Sequence, residues 1–188
     1  MTFPISQLRI TAIAAVWLLA GLAAVLVLGA PAARTFAADP ASLAFLGVHF
    51  QNDNEGLEPT TDAERARLKR TGEEFTQALT ESGRYRIVPT TDAMRAKIAA
   101  GQAVGECGGC EIDLGRQLGA DIVAWIRVQK VSNLILNMNV YMADVKSGRM
   151  QLTKSVDLRG NTDDSWSRRL RYLVKNSVLT ADIKPSGS

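Results

Sequence analysis

Three consecutive segments, DIVAWIRVQKVS (121–132), LILNMNVYMADV (134–145) and MQLTKSVDLRG (150–160), alternate apolar and polar residues over most of their length. A period of two sends successive side chains to opposite faces of a strand. KSGR between the last two is a tight hairpin turn, so the three form an antiparallel meander. Its core face is expected to carry Ile122, Ala124, Ile126 and Val128, then Leu134, Leu136, Met138 and Val140, then Met150, Leu152, Val156 and Leu158. The opposite face displays Trp125, Arg127 and Gln129, then Asn137, Asn139 and Tyr141, then Gln151, Thr153, Ser155 and Asp157.

The segments around the meander supply its cover. SLAFLGVHF (42–50) has the length and apolar run of a buried strand, and QNDNEGLEP follows as a loop. Thr61 and Glu64 stand at capping-box spacing and open a helix with Leu68, Gly72, Phe75 and Leu79 on one face and Arg65, Lys69, Glu73 and Glu81 opposite. Gly83 ends it, YRIVP (85–89) is a short strand, and TTDAMRAKIAAG is a second helix closed by Gly101. CEIDLGRQLGAD forms a short helix with Ile112, Gly115 and Leu118 on one side and Gly119 as its stop. DDSWSRRLRYLVKNSVL is a closing helix buried through Trp166, Leu170, Val174 and Val178, and TADIKPSGS is a loose tail. The sum is β-α-β-α-α-β-β-β-α, a single-domain α/β sandwich of about five mixed strands. PTTDAERARL (59–68) and PTTDAMRAKI (89–98) match at seven of ten positions. Their flanks differ, and each reads as an independent helix start: a proline, a hydroxyl cap and an acid in the first turn.

ITAIAAVWLLAGLAAVLVLGA (10–30) is an unbroken apolar stretch behind Arg9, and small residues follow it in PAARTFAADP. This is the pattern of an export signal cleaved near Ala37 or Ala38; its length also suits an uncleaved membrane anchor. Residues 1–38 are therefore set apart from a domain at 39–180 and a flexible tail at 181–188, and the domain is placed in the periplasm. Contact with a membrane is expected only through 10–30, if that segment is retained. Losing Arg9 and Arg34 lowers the formal charge from +3 to +1. The densest basic stretch, SRRLRYLVK (167–175), lacks interleaved aromatics for stacking bases, so nucleic acid is not expected as a partner.

The strand with a hydrophilic exit, the long helix, YRIVP, LGADIVAWIRVQKVS, NVYMADVKSGR and a last helix opening at Trp166 resemble the amino-terminal domain of TolB and the related curli-secretion lipoprotein domains. The stretch VQKVSNLILNMNVYMADVKSGR (128–149) is similar to an uncharacterised family of small predicted periplasmic proteins. The resemblance covers nearly all of 43–179. It implies this fold and a role as a binding or assembly module with an envelope protein as partner. The propeller of TolB and the barrel segments of the curli pore have no counterpart in this sequence, so neither activity carries over.

Candidate chemistry is sparse. His49, the one histidine, lies inside the first strand and is expected to have a satisfied side chain. QNDNEGLEPTTD (51–62) places Gln51, Asp53, Glu55, Gly56 and Asp62 at calcium-loop spacing, but Gln51 stands where an Asp is needed, Pro59 interrupts and no helix precedes. Cys107 and Cys110, in GECGGCEIDLG, cannot complete a zinc site with one distant histidine. No metal and no cofactor are expected. Cys-x-x-Cys at a helix start is also the thioredoxin arrangement, yet AAGQAVGE rather than a strand precedes Cys107. In an oxidising compartment the pair is expected to close as a structural disulfide. Two functions follow: a non-catalytic envelope module acting through the polar and aromatic sheet face, preferred, and a periplasmic thiol-disulfide redox protein.

Overall fold

β1 (Ala41–Asn52) runs through the sheet between two parallel neighbours, and the other elements are arranged around it. The computed structural model describes residues 39–186; the apolar segment read as a signal or anchor, and the last two residues of the tail, lie outside the described residues. After β1 come α1 (Asp62–Glu81), β2 (Tyr85–Ile87), α2 (Asp92–Ala100), α3 (Cys110–Gln117), β3 (Ile122–Lys130), β4 (Ile135–Asp144), β5 (Met150–Arg159) and α4 (Asp163–Leu173). α4 continues into a π-helical turn at Val174–Val178. The strand order is β2-β1-β3-β4-β5, with β1 parallel to β2 and β3, and β3, β4 and β5 antiparallel. This is the α/β architecture, and the element order, that the sequence patterns specify.

Helix starts follow their caps. Thr61 Oγ1 accepts from the Glu64 N–H at 3.2 Å and Glu64 Oε2 accepts from the Thr61 N–H at 2.7 Å, a complete capping box. Thr91 caps α2 through the Met94 N–H, and Thr162 caps α4 through the Ser165 N–H. The two Pro-Thr-Thr-Asp-Ala stretches are thus two separately capped helices. α1 and α4 cover one face of the sheet, where Phe75, Leu79, Trp166, Leu170, Leu173 and Val178 pack on Leu43, Ile126, Met138 and Met142.

The opposite face carries a second core, which the reading of an open polar and aromatic face did not anticipate. Leu46, Val104, Leu114, Val123, Trp125, Ala143 and Val145 are buried there beneath α2, α3 and the loop between them. Gly115 makes the close approach of α3 possible, because a Cβ at that position would meet Val145 Cγ2 at 2.7 Å and Val123 Cβ at 3.3 Å. β1 reaches both cores through a bulge. Phe45 is level with Ala124 but Val48 with Ile126, so β1 spends one extra residue, absorbed near Gly47 at φ 104°. Phe45 and Val48 both pack on the main core, while Leu46 enters the second.

Leu134 and Met150 were expected in the core and are 80% and 49% exposed. Leu134 sits in the tight connection where the Ile135 N–H bonds back to the Ser132 carbonyl, before β4 begins. Met150 is turned out by a register shift: Met142 pairs with Leu152 but Ala143 with Met150. The tail also differs from a loose end as far as Ser186. Ile183 is buried, Gln151 bonds Lys184 through both its amide atoms, and the Ser186 N–H donates to Asp144 Oδ2 at 2.7 Å.

A buried ion pair joins the carboxyl end of β3 to the start of α1. Lys130 Nζ lies 2.9 Å from Glu64 Oε1, with the two side chains 2% and 1% exposed, and 3.6 Å from Glu58 Oε2. Asn161 donates to Glu64 Oε1 at 2.6 Å and accepts from Trp166 Nε1 and Arg67 at 3.1 Å, which brings in the start of α4. Burial alone would raise the Glu64 carboxyl, but hydrogen bonds from the Thr61 backbone, Lys130 and Asn161 outweigh it and hold the group at about 2.

Two substitutions test this packing. Leu136→Ala, which empties a main-core position, should cost about 2–5 kcal/mol in urea unfolding. Gly115→Ala would add helix propensity in an isolated helix, but here overpacking should destabilise by about 1–3 kcal/mol. A stabilised Gly115→Ala protein would contradict the placement of α3.

Candidate functional site

The register of β1, β3, β4 and β5 aligns polar side chains in rows across the second face. Gln51, Gln129, Asn137 and Asp157 form one row, and His49, Arg127, Asn139 and Ser155 the next. Trp125, Tyr141 and Thr153 form a third, bordering the second core. Exposure rises toward the β5 edge: Thr153, Ser155 and Asp157 are exposed, while Arg127, Gln129, Asn137, Asn139 and Tyr141 are half-buried. Trp125 is 3% exposed and does not belong to an open surface. Its period-two position is as read, but the loop before α3 lies over it. Gln151 is drawn away to the tail through its bonds to Lys184.

The remaining side chains brace one another. Trp125 and Tyr141 stack at 5.2 Å between ring centroids, and an Arg127 nitrogen lies 3.4 Å from the Tyr141 hydroxyl. Arg127 also pairs with Glu106 at 2.6 Å, Asn139 donates to Asn137 Oδ1 at 2.5 Å, and Gln129 donates to Asp53 at 2.8 Å.

Cys107 and Cys110 are joined in a disulfide, with Cα atoms 5.6 Å apart, where the covering loop enters α3. Gly108 and Gly109 take φ values of 66° and 115°, which suit the tight passage between the two cysteines. Val104 is buried, and Gly105 lies so close to the indole that a Cβ would stand 2.9 Å from Trp125 Nε1. The Glu111 carboxylate, 6% exposed, accepts from the Gly105 N–H and lies 3.3 Å from Cys107 Sγ. Sequence reasoning missed Glu111, although an acid directly after Cys-Gly-Gly-Cys on an otherwise packed helix was visible.

The other candidates do not assemble. His49 sits beside Arg127, and its Nε2 is buried without a hydrogen-bond partner, contrary to the expected satisfied ring. Burial pushes the imidazole below its ordinary value and Arg127 adds to this, against a backbone hydrogen bond at Leu46 and the charge of Glu111. In the 51–62 loop, Asp53 accepts from Gln51 and Gln129, Glu55 from Thr60 and Asn52, and Asp62 from Arg65. These carboxylates close the loop rather than converge on a cation. Among the described residues, Cys107, Cys110 and Glu111 are the group of metal-ligating side chains that does converge, within 4.8 Å, and its two sulfurs are bonded to each other. A groove of about 700 Å³ runs along β1 beyond the end of β2, lined by Phe45, Val48, Gly72, Pro89 and Ile98. Among the described residues no helix is long and apolar enough to cross a membrane.

Residues 41–178 match the family DUF3280, described as a protein of unknown function (DUF2380). No curated protein matches the chain. Solved structures similar to it include the LpoB C-terminal domain from Salmonella enterica, at 15% identity over 64% of this chain and 84% of that one, with a TM-score of 0.46. Lipoprotein GNA1162 from Neisseria meningitidis gives 16% identity over 77% and 100%, with a TM-score of 0.48. TolB from Acinetobacter baumannii gives 15% over 73% and 28%, with a TM-score of 0.41.

If the disulfide pins the loop over Trp125, reducing it or introducing Cys110→Ser should lower stability by only about 2 kcal/mol, the chain-entropy value for so short a loop. Hydrogen exchange should quicken in 103–110, and tryptophan emission should shift to the red. Unchanged exchange in that segment would contradict the staple.

Proposed function

The chain belongs to the DUF3280 family, whose description records no function, and from its geometry we propose that it is a non-catalytic cell-envelope module that binds a protein partner through the uncovered rows of its sheet. The residues concerned are Arg127, Gln129, Asn137, Asn139, Tyr141, Thr153 and Ser155. One observation carries this reading. α1 and α4 cover the first face and the α2–α3 segment covers the apolar end of the second, so the polar rows are the part of the sheet that no described helix overlies. Their side chains are already held by Tyr141 stacking on Trp125 and by the Arg127, Asn139 and Gln129 bonds, which lowers the ordering cost of binding. The cell-envelope placement rests on the apolar segment 10–30. Within this reading the Cys107–Cys110 bond is a local staple for the loop beside the rows.

A second reading, thiol-disulfide exchange, is favoured by Glu111. Its carboxylate oxygen, 3.3 Å from Cys107 Sγ, is placed to take the proton of that thiol once the bond is reduced. Turnover in an insulin-reduction assay that Glu111→Gln abolishes would support it, and no turnover supports the staple.

For the binding reading, a photo-reactive amino acid at Ser155 in the native host should cross-link to one envelope protein. That protein, purified, should bind the Asn139→Ala, Ser155→Arg variant about tenfold more weakly or worse, a loss of about 1.4 kcal/mol. The variant's stability should stay within about 1 kcal/mol of the parent, as for surface positions. Equal binding by the variant would contradict the assignment.

A further inference from the structure

Six large apolar side chains are well exposed among the described residues, and four of them, Leu57, Val131, Leu134 and Ile135, belong to one end of the sheet. Leu57 lies in the loop after β1, Val131 and Leu134 in the loop after β3, and Ile135 opens β4. The two loops are tied together. The Asp53 N–H donates to the Lys130 carbonyl at 2.9 Å, Asn54 Nδ2 to the Val131 carbonyl at 2.6 Å, and Asn133 Nδ2 to Glu58 Oε2 at 3.2 Å. Leu57 and Leu134, 86% and 80% exposed, therefore project from one shared tip. A soluble surface rarely concentrates apolar side chains in this way without a use for them.

The tip is also stiff. The Val131 N–H bonds to the Ile135 carbonyl at 3.0 Å and the Asn161 N–H to the Asn133 carbonyl at 3.1 Å. Beneath both loops lies the buried Lys130–Glu64 pair, with Glu58 as a second carboxylate on Lys130. Apolar side chains on a fixed base suit a shaped recess, since little conformational freedom is left to lose on docking.

Charge narrows the occupant. The charged residues of the two loops, 53–61 and 131–134, are Asp53, Glu55 and Glu58, all acidic and all exposed, and Arg159 lies across from Ile135 at the flank. Carboxylates in this position repel an anionic lipid surface and a second copy of the same tip. We propose that the tip docks into an apolar recess of a partner protein whose rim is basic. The inference rests on the binding-module reading but not on the polar rows, from which the tip can be separated by substitution.

The protein purified from the cell envelope can be titrated with three probes: a basic amphipathic peptide of alternating leucine and lysine, its leucine–glutamate twin, and phosphatidylethanolamine–phosphatidylglycerol vesicles. The basic peptide should bind, more weakly as salt rises, and the acidic twin should not. Leu134→Asp and Leu57→Asp should each weaken binding at least tenfold, although each adds an acid; attraction by charge alone would instead strengthen it. Leu57→Asp stands in if Leu134→Asp does not fold. No binding of the basic peptide, or equal binding by both variants, overturns the proposal. So does vesicle binding that Leu134→Asp removes, which would mark a lipid-facing tip, or a dimer that Leu134→Asp dissolves. Full peptide binding by the Asn139→Ala, Ser155→Arg variant together with loss at Leu134 would support the tip as a site separate from the polar rows, whose own reading is decided by the cross-linked protein.

Discussion

The contact between Lys130 and Glu64 is the constraint on which the arrangement of this domain depends. Two charges with 2% and 1% of their side chains exposed are costly to bury unless each meets the other in good geometry. Glu64 meets the requirement with the Thr61 N–H, Lys130 and Asn161 around its two oxygens. Because those partners come from the start of α1, the end of β3 and the approach to α4, satisfying one carboxylate fixes where both covering helices begin. Removing a single partner would leave a buried charge uncompensated, so the network acts as a registration device more than as a source of net stability.

The same network forms the floor of the loops that carry Leu57 and Leu134, which links packing to surface. On the second face, the glycine-rich segment with the disulfide covers Trp125 and braces Arg127 through Glu106. Tyr141 is held on the buried indole, and the polar rows begin where that cover ends. The rigid apolar tip and the braced polar face at one end of the sheet are the two surfaces on which the proposed binding role rests. The Cys107–Cys110 pair at the start of α3, with the Glu111 carboxylate beside Cys107, is what points toward redox chemistry instead.

Much of this was legible in the residues because it is set locally. Alternation gave the faces of β3, β4 and β5, the Thr61–Glu64 spacing gave the start of α1, and Trp166, Leu170, Val174 and Val178 marked the buried side of the last helix. The resemblance of 128–149 to an uncharacterised protein family has its counterpart in the family match over 41–178. What escaped depends on contacts distant in sequence. Trp125 suits either a wet or a dry face, and its burial is decided by the aperiodic loop around Val104 and Gly105. Leu134 follows the strand alternation but falls inside a turn, and Met150 is displaced by a register shift. Glu64 announced itself as a cap while its second role, as partner of a lysine far along the chain, had no local signature.

A double-mutant cycle on Lys130→Met and Glu64→Gln, read by urea unfolding, tests the central claim most directly. Each single change should cost about 3–5 kcal/mol by stranding a buried partner. The double variant should cost less than the sum by more than about 1 kcal/mol, the range expected of residues in one network. Single costs within about 0.5 kcal/mol of zero, or strict additivity, would show that the pair does not register the helices on the sheet.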